Sequence, residues 1–259
     1  MKHIVFIFSL VVVILMMSVI IINHQEKAPK RFLSVQKYYS YLYEKDLEMK
    51  VSLYINDIDH PLAHAQSYEA IELSNSDESK KLEMQLTKIT YGYEEVYLNE
   101  IYQQMTLYMP VPDLGEDFLI HDLMMHVILV NGDTYEISLG TLSLISIDTM
   151  TEALNWTSLE GHKNDNLFIS RLGNIYIEYV DLNLNIQTIK IGIDYFIDFK
   201  IEPTMITLDI PKQDILLDDV PIIIYFDNGS IQTIANFRYM FDYEILKESG
   251  MLISTYALN

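Results

Sequence analysis

DLMMHVILVNGDTYEI, Asp122–Ile137, and DVPIIIYFDNGSIQTI, Asp219–Ile234, share one plan: an apolar run, an Asn-Gly pair and a second run. The pairs are Asn131-Gly132 and Asn228-Gly229. Asn and Gly both tolerate positive φ, so Asn-Gly suits the type I′ turn, whose twist matches two antiparallel strands. Each stretch is read as a β-hairpin, and the two as copies of one hairpin.

The copying extends upstream. TKITYGYEEVYLNEIYQQM (Thr87–Met105) aligns without a gap on QTIKIGIDYFIDFKIEPTM (Gln187–Met205), with Ile89, Gly92, Ile101 and Met105 on Ile189, Gly192, Ile201 and Met205. The hairpins follow in the same order, and the intervening loop, Thr106–His121 in the first copy, shortens to Ile206–Asp218 in the second. Length changes belong in surface loops. Gly92 and Gly192 interrupt strand patterns, which predicts a bulge or a close backbone approach in both copies.

Around this repeat the pattern is β. Val51, Leu53 and Ile55 alternate, Tyr68–Leu73 is another short strand, and Leu82–Thr90 reads as one strand with Leu82, Met84, Leu86 and Ile89 inward. Short strands resume at Leu167–Ser170 and Asn174–Val180, and Met251–Leu258 supplies a last one. Asp148–Asn166, which holds the single Trp, Trp156, and a polar turn, marks the boundary between units. Short strands with regular turn signals, in units of about a hundred residues, predict β-sandwiches. The fold class is all-β, with one sandwich over residues 49–150 and its repeat over 151–259.

Ahead of them, Ile4–Ile22 is apolar apart from Ser9 and Ser18, with Lys2 before it. At ~1.5 Å per residue this spans about 28 Å, close to the hydrocarbon thickness. No Ala-x-Ala follows, so residues 1–23 are read as an uncleaved transmembrane signal-anchor rather than a cleaved signal peptide. Lys27, Lys30, Arg31, Lys37, Lys45 and Lys50 flank its far side, which by the positive-inside rule favours a cytoplasmic domain. A Lys-led N-terminal span is nonetheless the usual export signal, and large domains translocate regardless of charge, so the bulk of the chain is placed outside the cytoplasm. Residues 24–48 form a stalk. Phe32, Val35, Tyr39 and Leu42 recur at helical spacing, which fits a short amphipathic helix; an irregular linker continuing into the first strand is the other reading.

The 259 residues carry 17 Lys and Arg against 37 Asp and Glu, a formal charge of −20. Such a surface repels phosphate backbones, which removes nucleic acid from the partner list. Half the residues are hydrophobic, so a disordered polyanion is excluded. Cysteine is absent, and with it disulfides, thiolate metal sites and a Cys nucleophile.

Candidate chemistry is sparse. Asp57, Asp59, His60 and His64 lie within eight residues and offer carboxylate and imidazole ligands for zinc or another divalent ion; a solvated loop rich in turn formers accounts for the same residues. His121 and His126 would face opposite sides of a strand. Asp113, Glu116 and Asp117, or Asp214, Asp218 and Asp219, are acidic enough for calcium but lack EF-hand spacing. No nucleophile elbow, P-loop, dinucleotide fingerprint or H-E-x-x-H is present, so neither a catalytic residue nor a cofactor is assigned. Asn155-Trp156-Thr157 and Asn228-Gly229-Ser230 match the glycosylation pattern and receive no role. Tyr91, Tyr93 and Tyr97 fall on one strand face if no bulge intervenes, and are expected to be buried.

The repeated signature, an alternating strand around a Gly and then a strand, an Asn-Gly corner and another strand, resembles the tandem immunoglobulin-like ectodomains of single-pass proteins of Gram-positive bacteria. It is similar to the extracytoplasmic regions of some anti-sigma-factor proteins, over Thr87–Ile137 and Gln187–Ile234. Those proteins place a sigma-binding domain before the span, where this sequence has three residues, so that activity is not carried over. The resemblance implies two tandem immunoglobulin-like sandwiches and a role in contacts within the envelope. The expected function is thus a membrane-anchored extracytoplasmic binding or scaffolding protein whose partner is another envelope protein or the wall polymer. The alternatives are an envelope hydrolase or metal enzyme using Asp57–His64, and an accessory subunit of a membrane complex held by its span.

Overall fold

Alternating apolar and polar residues, punctuated by Gly, Asn, Asp and Pro, keep most of the described residues extended. The computed structural model describes residues 29–43, 46–112, 114–146, 150–163, 171–193, 195–210, 214–237, 239, 244–247 and 250–258. In chain order the strands are β1 (Arg31–Val35), β2 (Lys37–Leu42), β3 (Glu48–Ile55), β4 (Tyr68–Ser74), β5 (Lys81–Met84), β6 (Lys88–Tyr97), β7 (Glu100–Pro110), β8 (Phe118–Leu129) and β9 (Thr134–Ile145). They continue as β10 (Leu154–Lys163), β11 (Leu172–Leu182), β12 (Ile186–Ile191), β13 (Tyr195–Glu202), β14 (Met205–Asp209), β15 (Leu216–Leu217), β16 (Val220–Phe226), β17 (Ile231–Phe237) and β18 (Ile253–Ala257). Three 3-10 turns, Pro61–Ala63, Ala65–Ser67 and Ile245–Lys247, are the helical elements among the described residues. No helix among those residues is long and apolar enough to cross a membrane, and the Ile4–Ile22 run and the expected strand Leu167–Ser170 lie outside them.

Two sheets enclose the first core. One runs β1-β3-β7-β6, with β18 added beyond β1; the other runs β2-β9-β8-β4-β5, with β15 added beyond β2. Val51, Leu53, Met105 and Leu107 of the first pack against Leu73, Met125, Val127 and Ile137 of the second. In immunoglobulin lettering this is A-B-E-D facing G-F-C-C′. Strand β2 leaves β1 to pair in parallel with β9, so the opening segment contributes to both sheets.

The second core is enclosed by one sheet turned back on itself. Its order is β10-β11-β14-β13-β12-β16-β17. The bend lies in β13, whose start pairs with β12 through Ile197 while Asp198 onward pairs with β14. The halves correspond to A-B-E-D and C-F-G, and between them lie Ile175, Ile177, Ile206 and Leu208 against Ile189, Ile191, Ile222 and Phe226.

Both Asn-Gly hairpins therefore occupy the same F–G place, and their turns match. Gly132 N–H donates to Leu129 C=O (2.8 Å) and Gly229 N–H to Phe226 C=O (3.0 Å). Gly132 has φ +91° and Gly229 φ +83°. These are three-residue loops, a tight turn followed by a left-handed Gly, rather than the two-residue type I′ turn expected; the left-handed demand falls on Gly alone. In each, the Asn side chain accepts the N–H two residues on, from Asp133 (3.1 Å) and Ser230 (3.0 Å).

The gapless upstream alignment does not survive. The hairpin turn between the D and E strands is Leu98-Asn99 in the first sandwich and Pro203-Thr204 in the second, so the aligned segments run out of step. Gly92 sits in a bulge between Tyr91 and Glu94, as expected of a Gly in a strand. Gly192 instead makes the turn between β12 and β13 at φ +60°, pressed against the ring of Tyr38. Leu82–Thr90 is likewise not one strand: β5 and β6 belong to opposite sheets, and Gln85–Thr87 carries the chain across.

The expected helix or linker over Arg31–Glu48 is two strands. Phe32 enters the first core while Leu33 and Val35, on the other face of β1, join Tyr54, Tyr102, Leu216, Ile245, Leu246 and Met251 in a third cluster. A strand buried on both faces loses its alternation, which left only an accidental helical spacing to read. The C-terminal strand β18 pairs with β1 and so completes the first sandwich, not the second. Tyr38 of β2 reaches the second core, where its hydroxyl accepts the Ile193 N–H (2.9 Å) and bonds Ser143 Oγ (3.1 Å). Arg31–Asn259 is accordingly one compact unit.

Candidate functional site

Of the sequence-derived metal candidates, His60 has a place in the fold. His60 is buried, and its Nδ1 accepts the Leu62 N–H (3.1 Å) at the start of the Pro61–Ala63 turn. An accepting Nδ1 puts the ring proton on Nε2, which then faces the Tyr135 hydroxyl at 3.4 Å. Tyr68 and Tyr91 hydroxyls donate to the carbonyls of Leu62 (2.6 Å) and Ala63 (2.7 Å), so the loop is fastened over the first core. Asp59 is exposed and Asp57 and His64 half-buried. Among the described residues no group of three or more His, Cys, Asp or Glu is placed to hold a metal ion.

The other polar candidates are also occupied locally or dispersed. Asp117 Oδ1 accepts the Ser146 N–H (2.7 Å), Asp218 faces Lys37 Nζ at 3.4 Å, and Glu116 and Asp214 are exposed; Asp113 lies outside the described residues. A bulge after Ile120 leaves both His121 and Asp122 exposed, so the simple alternation fails there, and His126 Nε2 pairs with Ser74 Oγ (3.0 Å). The bulge at Gly92 also breaks the tyrosine face. Tyr91 and Tyr93 are exposed, against the expected burial, Tyr93 at 75%. Glu95 turns inward instead and accepts the Leu246 N–H (2.7 Å), and burial raises its pKa.

A feature with the shape of a site lies in the second sandwich, where the sequence offered only a boundary. Trp156 stands not in a linker but in the edge strand β10, and the register against β11 slips on both sides of it. Bulges re-aim side chains, and here the indole is 41% exposed. It borders an open trough of about 890 Å³, within the roughly 300–1,000 Å³ usual for ligand sites.

The floor of this trough is rigid. Gln232 of β17 is buried, and its amide both accepts the Leu154 N–H (2.7 Å) and donates to the Leu154 carbonyl (2.8 Å). Thr151 N–H donates to Ile231 C=O (2.9 Å), and Asn183 N–H to Ala153 C=O (2.9 Å). These bonds fix the start of β10 between β11 and β17. The walls then present Glu152 and Asp181 carboxylates, Asn155 and Asn183 amides, and Thr151 and Thr233 hydroxyls, and Met150 also lines the trough. One flat apolar ring among planar hydrogen-bonding groups suits a ligand with an apolar face and a polar rim, which is the description of a pyranose.

A second cleft, of about 120 Å³, lies where Lys37, Tyr39, Tyr54, Gln104 and Asp218 meet. Lys37 and Asp218 are largely shielded and face one another, Lys37 Nζ lies 5.5 Å from the Tyr39 ring centre, and burial pushes the Tyr39 hydroxyl well up. Its size falls below that of an ordinary ligand site.

Several components of the trough come from distant parts of the chain, and a lone Trp beside a polar turn was the only signal the sequence held. No protein-family model matches the chain, and no curated protein matches it. Among solved structures it is similar to the Bacteroides ovatus mixed-linkage glucan utilization protein SGBP-B in complex with a heptasaccharide, at 14% identity and a TM-score of 0.22. That match takes in 80% of this chain but only 42% of the other. The SrpA adhesin of Streptococcus sanguinis matches at 11% identity, over 84% and 99% of the two chains, with a TM-score of 0.22. A marsupial T cell receptor matches at 9%, over 81% and 61%, with a TM-score of 0.24. Scores this low leave function to be argued from the chain itself.

Proposed function

We propose that this chain is a membrane-anchored extracytoplasmic binding protein: two tandem immunoglobulin-like sandwiches, tethered by Ile4–Ile22, present the Trp156 trough to a glycan of the envelope. The observation that carries the reading is the trough itself, an indole turned outward by a doubly bulged edge and surrounded by carboxylates, amides and hydroxyls. The apolar run behind Lys2 supports the tether.

Two experiments test this. Protease treatment of intact cells is expected to remove the sandwiches; protection of the full-length chain would put them in the cytoplasm and end the reading. The full chain in detergent is expected to sediment with insoluble wall polysaccharide, and Trp156→Ala to stay in the supernatant while keeping its far-UV circular dichroism. Equal sedimentation of both would remove the trough from the account.

A further inference from the structure

Resting on that glycan reading, we infer that the ligand of the trough carries free ammonium groups: a chain of amino sugars with unacetylated amines. Among the described residues the lining holds two carboxylates, Glu152 and Asp181, and no Lys or Arg. Asp181 is the register partner of Asn155, the residue before Trp156 in β10, so a carboxylate and the indole line the same trough. An ammonium there gains a charge-assisted hydrogen bond to a carboxylate and attraction to the aromatic face at once. The chain's formal charge of −20 adds long-range attraction for a polycation and repels phosphate- or uronate-bearing polymers.

The alternative occupant of such a surface is a basic peptide. A peptide bound at a sheet edge adds as a strand, which needs a regular ladder of free N–H and C=O groups. Strand β10 is an edge, but its register slips at Asn155/Trp156 and again at Trp156/Ser158, next to the trough. Bulges of this kind blunt an edge against strand addition. The same irregularity that turns the indole outward therefore disfavours the peptide and leaves the saccharide.

The test is calorimetric titration of the full chain in detergent with a glucosamine hexamer, its N-acetylated counterpart and a lysine hexapeptide, in wild type and in the double variant Glu152→Gln/Asp181→Asn. The amino hexamer is expected to bind roughly tenfold tighter than the N-acetylated one, the difference between a charge-assisted and a neutral hydrogen bond. The double variant should bind the two hexamers alike, and an unchanged far-UV circular dichroism spectrum shows that it is still folded. Equal or tighter binding of the N-acetylated hexamer would overturn the ammonium inference and leave the glycan reading standing. If neither hexamer binds, both fall. Tighter binding of the lysine peptide than of the amino hexamer would overturn the choice of saccharide.

Discussion

Gly192→Ala is the substitution that tests how the two cores are joined. Gly192 has φ +60°, and a Cβ added there would lie 2.4 Å from both Cε1 and Oη of Tyr38. Tyr38 has nowhere to go: it is fully buried, bonded to Ile193 N–H and Ser143 Oγ, and edge-on to Tyr195 at 5.1 Å. A left-handed L-residue costs about 1–2 kcal/mol and overpacking a closed site about 1–3 kcal/mol, so the loss should total about 2–5 kcal/mol. Gly229→Ala is the control, because Gly229 shares a positive φ (+83°) but nothing lies within 4 Å of its would-be Cβ; it should lose only the conformational part, about 1–2 kcal/mol. Urea unfolding of Arg31–Asn259, followed by the fluorescence of the single Trp, gives both values, and at ~2–3 kcal/mol/M the Gly192 midpoint should fall by about 0.7–2.5 M. A Gly192→Ala midpoint no lower than that of Gly229→Ala would refute the claim that Tyr38 is wedged against this turn.

Three further outcomes follow from single residues. Leu98→Asn should stabilise the chain by about 0.5–1 kcal/mol, since Leu98 is 77% exposed yet held at φ +48°, a region Asn enters more easily; an unchanged urea midpoint would contradict the turn geometry. His60→Ala should cost about 1–3 kcal/mol by leaving the buried Leu62 N–H without its acceptor, and added zinc should neither stabilise the wild type nor worsen the variant in a thermal melt. Glu95→Gln probes burial electrostatics. Desolvation raises the folded pKa of Glu95, so the wild type's share of stability is complete below the unfolded value, about pH 4, and is lost as pH rises through the folded one. The Gln variant keeps an acceptor for Leu246 N–H, and its stability should gain on wild type as pH is raised from about 4 to about 7; a gap independent of pH would show that Glu95 is not desolvated.

How much of this could be read beforehand depended on whether local pattern and global fold agreed. The Asn-Gly corners are local: a short loop with one left-handed Gly between apolar runs has few other solutions, so both hairpins were legible, though not their third loop residue. Strand β1 was not, because Phe32 faces one core and Leu33 and Val35 another cluster, which erases the alternation a one-sided strand would show. The pairing of β18 with β1 joins residues at opposite ends of the described chain, and no local signal encodes that. The turn at Leu98-Asn99 carries no Gly or Pro, so the gapless repeat alignment ran through it. The trough was least visible of all: Trp156 could be seen, but Asp181, Asn183 and Thr233 become its neighbours only once β10, β11 and β17 are assembled.

The single indole also offers the most direct measurement. Because the chain has one Trp, its emission reports on one wall of the trough and nowhere else. Titrating the full chain with soluble fragments of envelope glycan should shift and saturate that emission, with an apparent affinity equal to the one measured by calorimetry on the same sample. Calorimetric binding that leaves the Trp156 spectrum untouched, or no binding of any fragment, would contradict the central claim that this trough is where the protein holds its ligand.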